Sequence, residues 1–211
     1  VSSISIIGLG TMARILGSRA LAGGNTVQVI GRDEARAAAL ASELGGGSTA
    51  GTIGSALAGD IVILAVPYAS AATVVREYGD ALHGKVIIDI TNPISPDFKG
   101  FVTPDGRSGA QEIAKAAPAG AHVVKAFNTL FSNVLAASPA EGRLLDVFIA
   151  GDDAQAKTRV SAFIETLGLR PMDIGQLPMA RTLENVALLQ LGLVAHSVKH
   201  TNFFLGVSIL S

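Results

Sequence analysis

Apolar residues in this chain come in short dense runs, separated by stretches in which they recur at helical spacing. The runs at 4–7, 26–30, 61–66, 86–90, 122–126, 146–150 and 170–174 predict strands. One of them, Ile61 to Val66, carries no polar position at all, and the others carry only one or two, as expected of strands buried on both faces of a parallel sheet. The intervening stretches 12–22, 34–44, 69–78, 109–117 and 154–167 predict helices, with Gly23 and Gly45 placed to end the first two. Residues 48–52 predict a short edge strand, and 207–210 a terminal one. A last helix over about 179–199 is apolar on most faces, through Leu183, Val186, Leu188, Leu189, Leu191, Leu193 and Val194. Such a helix should be buried, either under a substrate pocket or against a second copy of the chain. Strands alternating with helices imply an α/β fold, a doubly wound and mainly parallel Rossmann sheet with a short helical C-terminal extension. The division expected is a dinucleotide-binding domain over 1–175 and the extension over 176–211.

Chemistry begins where the first strand ends. Ile6-Ile7-Gly8-Leu9-Gly10-Thr11-Met12-Ala13 has the G-x-G-x-x-G/A form. Gly8 allows a sharp turn, Gly10 allows a pyrophosphate to approach the backbone at the positive end of the next helix, and Ala13 keeps helix and strand close. The second strand then ends in Gly31-Arg32, about where a NAD-binding protein carries a ribose-binding acid. A small residue followed by a guanidinium suits a 2′-phosphate instead, which favours NADP. Asp33 could be the ribose acid, but its place before an alanine-rich run fits a helix N-cap better.

The remaining strand ends supply further candidates. Val66-Pro67-Tyr68 and Thr91-Asn92-Pro93 lie at carboxyl ends, where open α/β sheets bind ligands. Asn92 offers both a donor and an acceptor, suited to a carboxamide or a ribose, although Asn-Pro is also an ordinary turn starter. Residues 94–107 form a long loop. Ser108 and Gln111 are spaced as a capping box. Asp152-Asp153 reads as a helix N-cap rather than as a metal site. His196 and His200 have helical metal-site spacing without a third ligand, so no metal is expected.

Composition narrows the partners. The 16 basic and 17 acidic residues leave a net charge of -1 without a charged block, so neither nucleic acid nor an anionic membrane is an expected partner. With no cysteine, disulfides and thiolate metal sites are excluded, and a cytoplasmic location is the expectation. No signal-peptide pattern precedes the first strand, and no apolar run reaches bilayer length. No serine elbow or acid/base pair marks a strand end, so no catalytic residue is assigned. Hydride transfer between two bound rings needs none, only contact, orientation and exclusion of water.

Several ordered stretches resemble one family. Ile-Ile-Gly-Leu-Gly-Thr-Met at 6–12, Ile-Asp-Ile-Thr-Asn-Pro at 88–93, Val-Val-Lys-Ala-Phe-Asn-Thr at 123–129, Ala-Gly-Asp-Asp at 150–153 and Leu-Gly-Leu-Arg-Pro-Met-Asp-Ile-Gly at 167–175 are similar to the deazaflavin (coenzyme F-420)-dependent NADP oxidoreductases. The reductase domain of STEAP metalloreductases is similar at the same places. The resemblance implies that Gly8, Leu9, Gly10, Thr11 and Met12 hold the pyrophosphate, that Arg32 meets the 2′-phosphate, for which the small Gly31 leaves room, and that Val66, Pro67, Asn92 and Pro93 line the nicotinamide end. This chain has Gly31 where the archaeal deazaflavin reductases carry Ser, and Asn128 where they carry His. A deazaflavin or flavin-type acceptor is expected beside the nicotinamide, between Phe127, Asn128 and Arg181. Arg181 could equally pair with Glu184 on the helix surface. The competing readings are a non-catalytic NADP sensor and a pyrroline-carboxylate or ketopantoate reductase. The latter adds a large helical domain for which the residues after 175 are too few. A homodimer through the last helix is the expected assembly.

Overall fold

The computed structural model describes residues 1–137 and 143–210. Eight strands form one sheet: β1 (Ser3–Ile7), β2 (Thr26–Gly31), β3 (Thr49–Thr52), β4 (Ile61–Leu64), β5 (Val86–Asp89), β6 (His122–Lys125), β7 (Asp146–Gly151) and β8 (Arg170–Asp173). Their order is β3-β2-β1-β4-β5-β6-β7-β8, and all neighbours are parallel except β6 and β7. The order reverses between β1 and β4. That is the switch point at which a crevice opens outside the carboxyl ends of the strands.

Helices cover both faces. α1 (Thr11–Ala22), α2 (Glu34–Leu44), α5 (Ser132–Ala136) and α6 (Ala154–Thr166) pack on the side shown by Ile4, Ile6, Val29 and Ile63. α3 (Tyr68–Tyr78), α4 (Gly109–Ala116) and α7 (Ala180–His196) pack on the side shown by Ile7, Ile30, Leu64 and Ile87. Strand side chains alternate between faces, so two apolar layers require strands with hardly a polar position. The exception in β1 is Ser5, which is fully buried. Its hydroxyl donates to Gln28 Oε1 at 2.7 Å and accepts from Gly59 N at 2.8 Å, so the buried polar group is paired.

Caps behave as their residue types predict. Asp33 accepts from Arg36 N at 3.0 Å and so caps α2, Asp153 accepts from Ala156 N at 2.7 Å, and Ser108 with Gln111 forms the capping box of α4.

The C-terminal region departs from its sequence pattern. α7 ends at His196, and the described residues 207–210 form no strand. Val207 N instead donates to Asp146 Oδ2 at 2.6 Å, holding the tail against the start of β7. The buried face of α7 includes Glu184 and Gln190, whereas Leu189 is 55% exposed. A helix apolar nearly all round does not reveal which side faces the core, and here polar partners on β6 and its exit loop decide it. The expected surface pairing of Arg181 with Glu184 is therefore wrong in its setting, because Glu184 is completely buried.

Candidate functional site

The two glycines of the first turn are required for different reasons. Gly8 has φ +128°, and a β-carbon there would fall 2.0 Å from the Ala65 carbonyl oxygen, so the fold itself demands glycine. Gly10 has ordinary extended backbone angles, φ -88° and ψ -170°, and a β-carbon on it would meet nothing within 4 Å. The fold does not need glycine at this position. The space kept free lies over the N-terminus of α1, which no side chain of the described residues caps. Backbone N–H groups and the helix dipole therefore face an open approach, an arrangement suited to a phosphate.

A cleft of about 410 Å³ runs across the switch point. It gathers Gly8, Leu9, Gly10, Gly31, Arg32, Val66 and Pro67, with Asp33, Arg36 and Ser70 beside them. Gly31 is small because of Leu9: a β-carbon at Gly31 would lie 2.2 Å from Leu9 Cδ1. Arg32, just before the cap of α2, and Arg36, in its first turn, are both exposed at this end. Arg36 was missed in the sequence reading, although a second arginine in the first turn of the helix that follows Arg32 was the available signal.

A second cleft, of about 280 Å³, lies on the other side of the α1 N-terminus and contains Met12, Asn92, Phe127 and Asn128, with Ile90, Ile94, Phe131, Ala187 and Gln190. Among the described residues its lining has no charged side chain. Phe127 has φ +65°, a left-handed conformation rare for a bulky residue, and is only 1% exposed. That turn carries Asn128 inward. Asn128 Nδ2 donates to Asn92 Oδ1 at 2.9 Å and to the Leu183 carbonyl at 3.0 Å, and Asn92 Nδ2 donates to the Asn128 carbonyl at 3.0 Å. The ends of β5 and β6 and the helix α7 are thereby fastened together.

Three expected site residues line neither cleft. Thr11, the first residue of α1, stands between Gly10 of the first and Met12 of the second. Pro93 is buried, its ring near Gly109. Arg181 turns to the loop 94–107, where Nη2 donates to Thr103 Oγ1 at 2.5 Å and to the Arg107 carbonyl, and its guanidinium lies 4.1 Å from the Phe101 ring centre.

The first 91 or so residues of the chain match a known pattern. Residues 3–93 fit the model of the family described as NADP oxidoreductase coenzyme F420-dependent. The chain is 31% identical over 185 residues to the metalloreductase STEAP3 of Rattus norvegicus, a match covering 88% of the chain and 36% of that protein. It is 27% identical over 159 residues to an F420-dependent NADP reductase of Methanocaldococcus jannaschii, covering 72% of the chain and 68% of that protein. Residues 3–93 thus carry the pattern of this family of NADP-dependent oxidoreductases, and the similarity to the rat metalloreductase runs on through most of the chain. It spans about a third of the length of the rat metalloreductase. A solved structure of a hypothetical protein from Sinorhizobium meliloti is similar at 34% identity and a TM-score of 0.74, with 84% of this chain and 86% of that one covered. Among the described residues no helix is long and apolar enough to cross a membrane.

One feature of the chain escaped the sequence reading altogether. Lys125, Asp89 and Glu184 are each completely buried, and Lys125 Nζ donates to Asp89 Oδ2 at 2.9 Å, to the Thr91 carbonyl at 2.5 Å and to Glu184 Oε1 at 3.1 Å. Burial pushes the Glu184 carboxyl above its usual range, against the opposing pull of the Lys125 ammonium and the Gly109 N–H. Burial likewise pushes the Tyr68 phenol up, with Glu112, Glu184 and Asp89 adding to it. The available signal was a charge inside each of two apolar strands, Asp89 and Lys125, which only a partner makes tolerable.

Proposed function

We propose that this chain binds NADP(H) across the switch point and passes hydride between its nicotinamide and a deazaflavin or flavin-type acceptor seated in the cleft at Asn128. The observation that carries this reading is the open space over Gly10, a position where the fold requires no glycine. The pyrophosphate would lie there on the N-terminus of α1. Arg32 and Arg36 would meet the 2′-phosphate at the Gly31 end, and Val66, Pro67 and Asn92 would border the nicotinamide. When bound, NADPH supplies the hydride, and the protein's own part is to orient two rings and keep water out.

The acceptor cleft fits a neutral ring: its walls are mostly apolar, and its polar groups are amides and hydroxyls. The names of two relatives, an F420-dependent NADP reductase and a metalloreductase, support a redox partner of this kind. The exposed Leu189 on α7, with Met179 just before it, supports a homodimer through this helix, which sedimentation would test.

The deciding experiment measures binding of NADPH and NADH, and then turnover of NADPH with deazaflavin, flavin and quinone acceptors. Arg32→Ala should weaken NADPH by about tenfold to a hundredfold and NADH little, the range for hydrogen bonds to a charged group. Equal losses for both cofactors would remove Arg32 from the phosphate site. Tight NADPH binding with no turnover of any acceptor would favour a sensor over an enzyme.

A further inference from the structure

Three buried charges are a costly way to fill a core. Apolar side chains of similar volume would often be as stable or more so. What the cluster at Lys125 provides is position, because each of its hydrogen bonds ends on a segment that borders the second cleft.

On one side it sets the turn after β5. Asp89 Oδ1 accepts from Thr91 N at 2.8 Å and from Thr91 Oγ1 at 2.7 Å, while Lys125 holds the Thr91 carbonyl. Thr91 is thus fixed through its amide, its hydroxyl and its carbonyl, and Asn92 follows directly. On the other side the cluster reaches the loop 94–107. Glu184 Oε1 accepts from Gly109 N at 2.8 Å, where that loop enters α4, and Glu184 Oε2 lies 3.4 Å from Arg181 Nη1. Arg181 in turn grips Thr103, Arg107 and Phe101. Phe101 forms a bridge to Ile94, and Ile94 is part of the cleft wall. One chain of contacts therefore runs from the Asn92 turn through Lys125, Glu184 and Arg181 to the wall opposite.

We propose that Lys125 and Glu184 are positioning residues for the acceptor: Lys125 sets the Asn92 turn, and Glu184, through Gly109 and Arg181, latches the loop 94–107 so that Ile94 closes the cleft. This rests on the reading that the cleft at Asn128 takes the acceptor. The latch itself is measurable without any acceptor, since Lys99 lies exposed in the loop and is a natural tryptic site.

The experiment uses the full chain with Glu184→Gln, Lys125→Met and Lys125→Arg, and with Arg181→Met at the half-buried end of the chain in case the buried variants fail to fold. Native-state cleavage after Lys99 should accelerate by about tenfold or more in Glu184→Gln and Arg181→Met, because the loop opens locally while the remaining structure stays closed. In Lys125→Met the acceptor KM should rise and kcat fall, and Lys125→Arg should recover part of the loss. Unchanged cleavage at Lys99 beside a lowered melting temperature would overturn the proposal in favour of a purely structural cluster. So would a released loop with unaltered acceptor kinetics. If no acceptor is turned over by the parent chain, the positioning role falls together with the reading of the cleft, whereas the cleavage result alone reports on the latch.

Discussion

Leu9 lies so close over Gly31 that the two positions cannot be varied independently. A β-carbon on Gly31 would sit 2.2 Å from Leu9 Cδ1 and 2.5 Å from its Cγ. The obstacle is a flexible side chain, so Gly31→Ser should fold, with Leu9 displaced into the cleft that it lines. The expected cost is about 1–3 kcal/mol, typical of overpacking, together with weaker NADPH binding. Leu9→Ala in the same chain should return much of both. A double-mutant cycle with denaturant midpoints checks this, and additive effects would show that the contact does not constrain residue 31.

Gly10 is the opposite case. Nothing surrounds a β-carbon there, and its backbone angles suit any residue. Gly10→Val should therefore melt within a few degrees of the parent and lose dinucleotide binding, because the branched side chain occupies the pyrophosphate's approach. Calorimetric titration beside a thermal melt separates the two effects. Retained affinity would take the glycine turn out of the site.

Much of this architecture was legible because two-sided burial leaves an unmistakable pattern: strands such as β4 can contain only apolar residues when helices cover both faces. The glycine turn and the caps at Asp33 and Asp153 were legible for a similar reason, since each is decided within a few residues of chain. The cluster at Lys125 was not. Asp89, Lys125 and Glu184 lie far apart in sequence and are reconciled only when β5, β6 and α7 meet. On a helical wheel Glu184 looks like a surface partner for Arg181, and nothing local says that the polar edge of α7 points inward while Leu189 points out. The tail was misread for the same reason. Residues 207–210 have a strand's composition, but a carboxylate more than sixty residues away holds Val207.

That carboxylate gives the molecule an acid-sensitive fastening. Burial alone would raise the pKa of Asp146, but the Arg170 guanidinium, at 2.5 and 2.9 Å, and the Val207 N–H overcome it and hold the group below the usual carboxylate range. A carboxyl whose folded pKa lies below its unfolded value contributes stability that is present above the unfolded pKa. The contribution is lost as pH falls through the folded pKa. Denaturant midpoints should therefore drop between about pH 5 and pH 2, part of that slope belonging to this pair. Asp146→Asn should be less stable at neutral pH and should flatten the acid side of the profile. Parallel profiles for the variant and the parent would place the acid sensitivity elsewhere.

Ala187 offers the sharpest test of where the acceptor sits. It is the smallest side chain in the wall of the 280 Å³ cleft, 5% exposed, and makes none of the hydrogen bonds that join Asn128 to Asn92 and Leu183. Replacing Asn128 would disturb the acceptor and the fold together, since Asn92 Oδ1 and the Leu183 carbonyl would each lose a donor at a cost of about 1–3 kcal/mol. Filling the cleft from Ala187 avoids that confusion. Ala187→Phe places a ring in the space proposed for the acceptor ring and leaves Gly10, Arg32 and the rest of the dinucleotide cleft untouched. Acceptor turnover should fall by about tenfold or more while NADPH affinity stays within about twofold. Overpacking can cost about 1–3 kcal/mol, so the smaller Ala187→Leu is made alongside and both are melted to count folded protein. The graded order, parent above leucine above phenylalanine, is what a filled pocket requires. Turnover indifferent to both substitutions would mean that hydride leaves the nicotinamide by another face, and the cleft at Asn128 would then be a packing defect between β6 and α7 rather than a binding site.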